Sequence, residues 1–312
     1  LSVALNGSAP LSLANRFVAD RGARVSGTVN FDARVGGSLT SPQITGSAST
    51  SGAEYVDPEL NLRLTGIAGR VALSGTNANI ESLTANLATG GNVSASGTVG
   101  LTPALPVNLA VQINSARYAD GDLFVATLSG GLNLTGNLTG APLLAGNVLI
   151  EQANITVPEG LGGGAQLIDV EHRRTPADVQ QTLDRARINE RTGVAAGSGG
   201  PQLQLDINVN APNQIFIRGR GLDAEVGGSV RLTGSISNVQ PVGAFNLLRG
   251  RLSILGQRVI FETGTVTLVG DLDPQLNFVA RTEGDGITVF VTLSGRASAP
   301  DITFSSNPTL PQ

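Results

Sequence analysis

Leu203-Gln204-Leu205-Asp206-Ile207-Asn208-Val209 decides the fold class. Four aliphatic side chains alternate with Gln, Asp and Asn, the period of two that belongs to a strand with one buried face. The alternation returns in Ile287-Thr288-Val289-Phe290-Val291-Thr292-Leu293, in Val107-Asn108-Leu109-Ala110-Val111-Gln112-Ile113, and from Leu128 to Leu138. The Asn-Gly, Gly-Gly, Gly-Asp and Asp-Pro dipeptides between such runs are turn chemistry. The reading is an all-β chain, with strands recurring about every 8 to 12 residues from one end to the other.

Composition narrows what such a chain can do. Of its 312 residues only 14% are charged, against about 25% in an average soluble domain. All 20 basic residues are Arg, and the net charge is −4, so the basic patch that nucleic acid demands is not expected. The absence of Cys removes disulfides, thiolate zinc sites and a cysteine nucleophile. Without Lys, Gly162-Gly163-Gly164 cannot open a phosphate-binding P-loop. A single histidine, His172, rules out multi-histidine metal sites. The charge-free stretches from Ser82 to Ala116 and from Leu123 to Ile150 contain no run of 18 apolar residues, so neither reads as a membrane helix. A chain that starts at Leu1 rather than Met is expected to be part of something longer.

One region departs from the alternation. Between Asp169 and Arg191 charges crowd together, and Thr175 is placed to cap a short helix with Asp178 in its first turn. Glycine-rich stretches flank it. The chain therefore divides into an N-terminal sheet region (1–157), a flexible charged insertion (158–201) and a C-terminal sheet region (202–312). Within the sheets, Leu134-Thr135-Gly136-Asn137-Leu138-Thr139 matches Leu232-Thr233-Gly234-Ser235-Ile236-Ser237. A looser unit runs from Gly to Pro and an aliphatic: Gly37 to Pro42 and Ile44, Gly136 to Pro142 and Leu144, Gly295 to Pro300 and Ile302. Its uneven spacing fits a repeated strand–turn–strand module rather than a solenoid coil.

A sandwich core is ordinarily anchored by aromatics, yet here aromatics make up 4% of the chain. Two uniform aliphatic faces of this kind can pack on each other as a dry sandwich or β-helix. Alternatively, a sheet folded lengthwise leaves an open apolar trough, and exposed apolar area of that size normally has an occupant. A lipid acyl chain suits it. Each methylene left in water costs about 0.8 kcal/mol, so a sixteen-carbon chain needs shielding worth roughly 12 kcal/mol. The cleanest alternating runs give the candidate lining: Leu203, Leu205, Ile207 and Val209; Val230, Leu232 and Ile236; Leu252 and Ile254; Val266 and Leu268; Ile287, Val289, Val291 and Leu293. Roughly 24 strands at ~4.8 Å would make a trough of about 115 Å. Alternation leaves open which face is concave, because a one-residue slip reverses every assignment.

Catalysis has no comparable signal. His172 sits in the charged insertion, and no Gly-x-Ser-x-Gly elbow exists. Asp271, Asp273, Glu283 and Asp285 lie in stretches that read as hairpin turns rather than as a metal site. Neither a catalytic residue nor a cofactor or metal is expected.

The last 70 residues carry a more specific pattern. Pro241-Val242-Gly243 is followed by Leu247-Leu248-Arg249-Gly250-Arg251-Leu252-Ser253-Ile254-Leu255-Gly256, then by Gly264-Thr265-Val266-Thr267-Leu268-Val269-Gly270-Asp271-Leu272-Asp273-Pro274. Ile287 to Gly295 and Pro300-Asp301-Ile302-Thr303-Phe304-Ser305-Ser306 complete it. This run resembles the C-terminal domain of the TamB family, specifically from about Gly227 to Gln312 and more weakly upstream. The resemblance ends at Leu310-Pro311-Gln312, where the family continues into an acidic and then apolar tail. It implies an elongated β-taco with an apolar concave groove, related to AsmA-like and bridge-type lipid transfer proteins. It also implies a Gram-negative periplasm, an inner-membrane anchor and an outer-membrane barrel partner, TamA, all reached through segments outside this chain. The implied function is phospholipid passage between the two membranes. The competing implication is a scaffold that assembles outer-membrane β-barrels and autotransporters by accepting a strand.

Overall fold

The strict alternation of the sequence folds into strands longer than its turn signals suggest. The computed structural model describes residues 3–17, 22–38, 41–58, 60–121, 123–157, 202–254, 257–284 and 286–308. They form a 17-stranded sheet with almost no helix. In chain order the strands are β1 (Val3–Pro10), β2 (Arg24–Ser26), β3 (Thr28–Ser38), β4 (Ser41–Asp57), β5 (Leu62–Gly75) and β6 (Asn77–Leu87). Then come β7 (Asn92–Gly100), β8 (Pro106–Asp120), β9 (Phe124–Asn137), β10 (Leu143–Thr156), β11 (Gln204–Gly219) and β12 (Leu222–Ser235). The last are β13 (Asn238–Ile254), β14 (Gln257–Val269), β15 (Gln275–Gly284), β16 (Ile287–Arg296) and β17 (Ala299–Asn307). The insertion 158–201, and with it the short helix expected after Thr175, lies outside the described residues.

Topology is a meander. A short 3-10 turn, Leu11–Phe17, links β1 to β2. β2 and β3 lie end to end along one side of β4, and β1 pairs with β3. From β3 to β10 each strand is antiparallel to its predecessor, and the same holds from β11 to β17. The two meanders meet where β10 and β11 run parallel. Among the described residues β1 pairs only with β3 and β17 only with β16, so the sheet is unclosed.

Against the expected 24, the described residues form 17 strands, and the width over fifteen inter-strand steps is about 72 Å. The overcount came from glycine pairs read as turns. Gly130-Gly131 lies inside β9 and Gly227-Gly228 inside β12. A Cβ built on Gly228 would stand 2.0 Å from the Ala244 carbonyl oxygen of β13, so glycine there permits close strand approach rather than a turn. The Gly-to-Pro repeat is indeed a hairpin module. Gly37 faces Pro42 in register, and Gly295 faces Pro300. In the matched Leu-Thr-Gly unit, Gly136 (φ 109°) and Gly234 (φ 89°) take up the left-handed backbone just before each turn.

The sheet curls, and the cause is visible in its register. Bulges interrupt the ladders between Thr50 and Ala53, Ile80 and Leu83, Ile113 and Ala116, Leu149 and Ala153, and Ala211 and Ile215. Each bulge bends its strand, and together they draw a crease across the sheet. Ala53, Ala116, Ala153, Ala211 and Ile215, which flank these breaks, are all deeply buried. A single sheet with no second layer among the described residues can bury a side chain only by curling toward it. Among the described residues, eleven of the 17 deeply buried apolar side chains are alanine, so close approach at the crease rests on small side chains.

Candidate functional site

Register places the candidate lining on one face. Leu205, Ile207 and Val209 of β11 stand opposite Gly234, Leu232 and Val230 of β12. Leu203 precedes β11, and its carbonyl accepts the Ile236 N–H at 2.9 Å, extending the same rows. β13 continues the face with Pro241 beside Leu232, Gly243 beside Val230 and Leu252 beside Leu222. On β14, Leu268 faces Gly243 and Val266 faces Phe245. Across β15, Val289, Val291 and Leu293 of β16 pair with Thr282, Ala280 and Phe278, and Ile287 pairs with Gly284. Ile254 holds the matching register position beside Gln257.

The same face carries the deeply buried alanines, so it is the concave one. Its large aliphatics are neither sealed nor bare. Leu205, Ile207, Val209, Leu232, Leu252, Val266, Leu268, Ile287, Val289, Val291 and Leu293 are half-buried. Two candidates depart from this state. Val230 is covered to 5% exposure, and Ile236, at the end of its strand, is 55% exposed. A dry sandwich would bury the large side chains first. Here the small ones are buried and the large ones remain partly open to the trough.

The deepest part of the trough was not read from sequence. Ala126, Ala153, Ala211, Ile215 and Val226 form a buried cluster spanning β9 to β12, with Phe124, Ile150, Ile155, Ile217 and Phe245 packed around it. Against them lies an open apolar hollow of about 240 Å³, lined by aliphatic and aromatic side chains that include Val266 of β14. An enclosed apolar cavity of about 150 Å³ binds benzene, so an apolar hollow of this size has room for a segment of hydrocarbon chain. The N-terminal meander extends the face through Val107, Leu109, Val111 and Ile113, in register with Gly136, Leu134, Leu132 and Gly130.

Over β11 to β13 the outer face is cross-linked by ion pairs, with Val242, Ile260 and Val269 exposed beside them. Arg231 pairs with Asp206 at 2.7 Å, Arg249 with Glu225 at 2.6 Å, and Asp223 bridges Arg251 at 2.8 Å and Arg218 at 3.3 Å. A hydrogen bond from Arg231 draws Asp206 below its ordinary value, as one from Arg218 does for Asp223. Glu225 is lowered first by the Gln214 backbone N–H and then by Arg249. These carboxylates stay ionised, so this stretch of the outer face is turned to water.

Against known families, residues 81–312 match the model of the TamB C-terminal domain. The chain belongs to the TamB family. A curated relative, the translocation and assembly module subunit TamB of Haemophilus influenzae, is 25% identical over 134 residues, which is 41% of this chain. The chain spans about 10% of that relative's length. The family match reaches well upstream of Gly227, into β6, so it covers the C-terminal meander, the parallel junction and the second half of the N-terminal meander.

Proposed function

We propose that this TamB-family chain is a segment of a lipid conduit in the Gram-negative envelope, with phospholipid acyl chains lying in the trough. One observation carries the reading: the sheet's concave face holds half-buried aliphatics from β8 to β16 around an apolar hollow of about 240 Å³. Plain aliphatics hold acyl chains with nearly equal strength at each position, which suits sliding over capture. The headgroup stays at the open mouth, because a charged group pays heavily to enter an unpaired apolar space. In this reading the chain is no enzyme and serves a translocation and assembly module. TamA and an inner-membrane anchor would be engaged through other parts of the full-length protein, with the trough in the periplasm.

The test is purification without detergent, followed by native mass spectrometry and lipid extraction of the same sample. Phospholipid in the wild-type chain that is lost in a folded Val289→Arg variant supports the conduit. An empty wild-type chain, or equal lipid in both, overturns it.

A second reading is a scaffold that accepts an unfolded outer-membrane strand by edge pairing. The observation favouring it is β17, whose only ladder among the described residues is to β16, with Ile302 53% and Phe304 63% exposed. Successive residues of a strand point their N–H groups to opposite sides, so either Thr303→Pro or Phe304→Pro alters the open edge. Loss of strand capture in one of the two, with lipid unchanged, would favour this role.

A further inference from the structure

Four arginines converge on the outer face, at the ends of β11 to β14, on the side away from the trough. Arg218, Arg249, Arg251 and Arg258 line a cleft of about 440 Å³ together with Asp223 and Glu225. Four guanidinium groups against two carboxylates leave a surplus of two positive charges, in a chain whose net charge is −4. The carboxylates are already committed. Asp223 is shared by Arg251 and Arg218, and Glu225 is held by Arg249 and the Gln214 N–H. Those bonds fix the guanidinium groups without exhausting them, since each carries five N–H donors. Arg249 gives one to Glu225, through Nε at 2.6 Å, and Arg251 gives one to Asp223, through Nη2 at 2.8 Å. Arg218 is pinned further by lying 4.6 Å over the Phe216 ring. Arg258 belongs to no ion pair among the described residues.

We propose that this cleft binds a phosphate group, either free or as the headgroup of an anionic lipid. A surplus of two charges matches a phosphate monoester, which carries about −1.5 to −2 near pH 7. Planar guanidinium forks present paired donors to its oxygens, a geometry that a lone ammonium lacks. Ile260, 54% exposed beside Arg258 and Arg251, gives the rim an apolar contact that a glycerol backbone would cover. The site lies on the opposite face from the trough and stands whether or not the trough carries lipid.

The test uses the 312-residue chain at low salt, where screening is weak. Inorganic phosphate is titrated by calorimetry. In a second arm, vesicles of phosphatidic acid, whose headgroup is a phosphate monoester, in phosphatidylcholine are compared with phosphatidylcholine alone by co-sedimentation. Arg258→Glu breaks no ion pair, so it is expected to keep the wild-type circular dichroism and lose at least ~10-fold in affinity. Arg70→Glu, the same charge change on β5, should bind like wild type. Phosphate binding that follows this pattern supports a site satisfied by free phosphate. Binding to anionic vesicles alone, with the same dependence on Arg258, supports the site and assigns the lipid headgroup as its source. No binding in either arm, or an equal loss in Arg70→Glu, overturns the proposal.

Discussion

Arg231 grips Asp206 through two parallel bonds, Nε to Oδ1 at 2.7 Å and Nη2 to Oδ2 at 3.0 Å, reaching from β12 to β11 across the outer face. The bond from Arg231 is the main cause of the lowered Asp206 pKa. A carboxylate whose folded value lies below its unfolded one contributes stability that is present above about pH 4 and lost as pH falls through the folded value. Arg231→Gln should therefore melt below wild type at neutral pH. The gap should narrow as pH falls below about 4 and on through the folded value of Asp206, where the wild type also loses the ion pair. Melting temperatures across that range check it, and a gap that persists in acid would contradict it.

Gly228 sits where a Cβ would meet the Ala244 carbonyl oxygen at 2.0 Å. Gly228→Val forces β12 and β13 apart, with a cost of about 2 kcal/mol or more from overpacking. Urea midpoints measure it. A valine tolerated without loss would mean that close approach of these strands is dispensable.

Phe245 lines the apolar hollow, and its ring is half-buried. Phe245→Ala should cost about 2 to 3 kcal/mol, less than a fully sealed Phe. The enlarged hollow gains more from an occupant, so adding a single-chain lipid should raise the melting temperature of the variant more than that of wild type. Equal shifts would argue that the hollow takes no chain.

Leu205 and Asn208 are three residues apart on β11 and lie on opposite faces of the sheet. If acyl chains occupy the trough, Leu205→Asp should lose the co-purified lipid while Asn208→Asp retains it. Lipid counted by extraction from both folded variants decides between the faces, and loss in both would point to non-specific surface binding.

Much of this face could be read from the sequence, because alternation survives wherever the ladders are regular. β16 runs ten residues without a break, and its four odd-numbered aliphatics were legible at once. Bulges hid the rest. On β13 the inward positions are odd at Phe245 and even at Leu252, and on β14 they pass from Val259 to Val266 with the same change of parity. A period-of-two reading stops at each such break, which is why Phe245 escaped notice while Leu252 and Val266 were found as separate runs. The crease was silent for another reason. Ala126, Ala153 and Ala211 carry too little apolar area to mark a period, yet they are among the most deeply covered of the described positions. The outer arginine cleft needs three hairpins to assemble, and no local spacing announces it.

The parallel junction of β10 and β11 has a kinetic consequence. Elsewhere in each meander a strand docks on the one just made, so contacts are local and form quickly. At the junction, Asn147 and Asn208 are 61 residues apart in sequence yet neighbours across the ladder. Closing so long a loop costs about 2 to 3 kcal/mol more chain entropy than a tight turn. The two halves should zip up independently and join last, so a refolding trace resolves a fast hairpin phase from a slower docking phase that proline at Val148 would selectively delay.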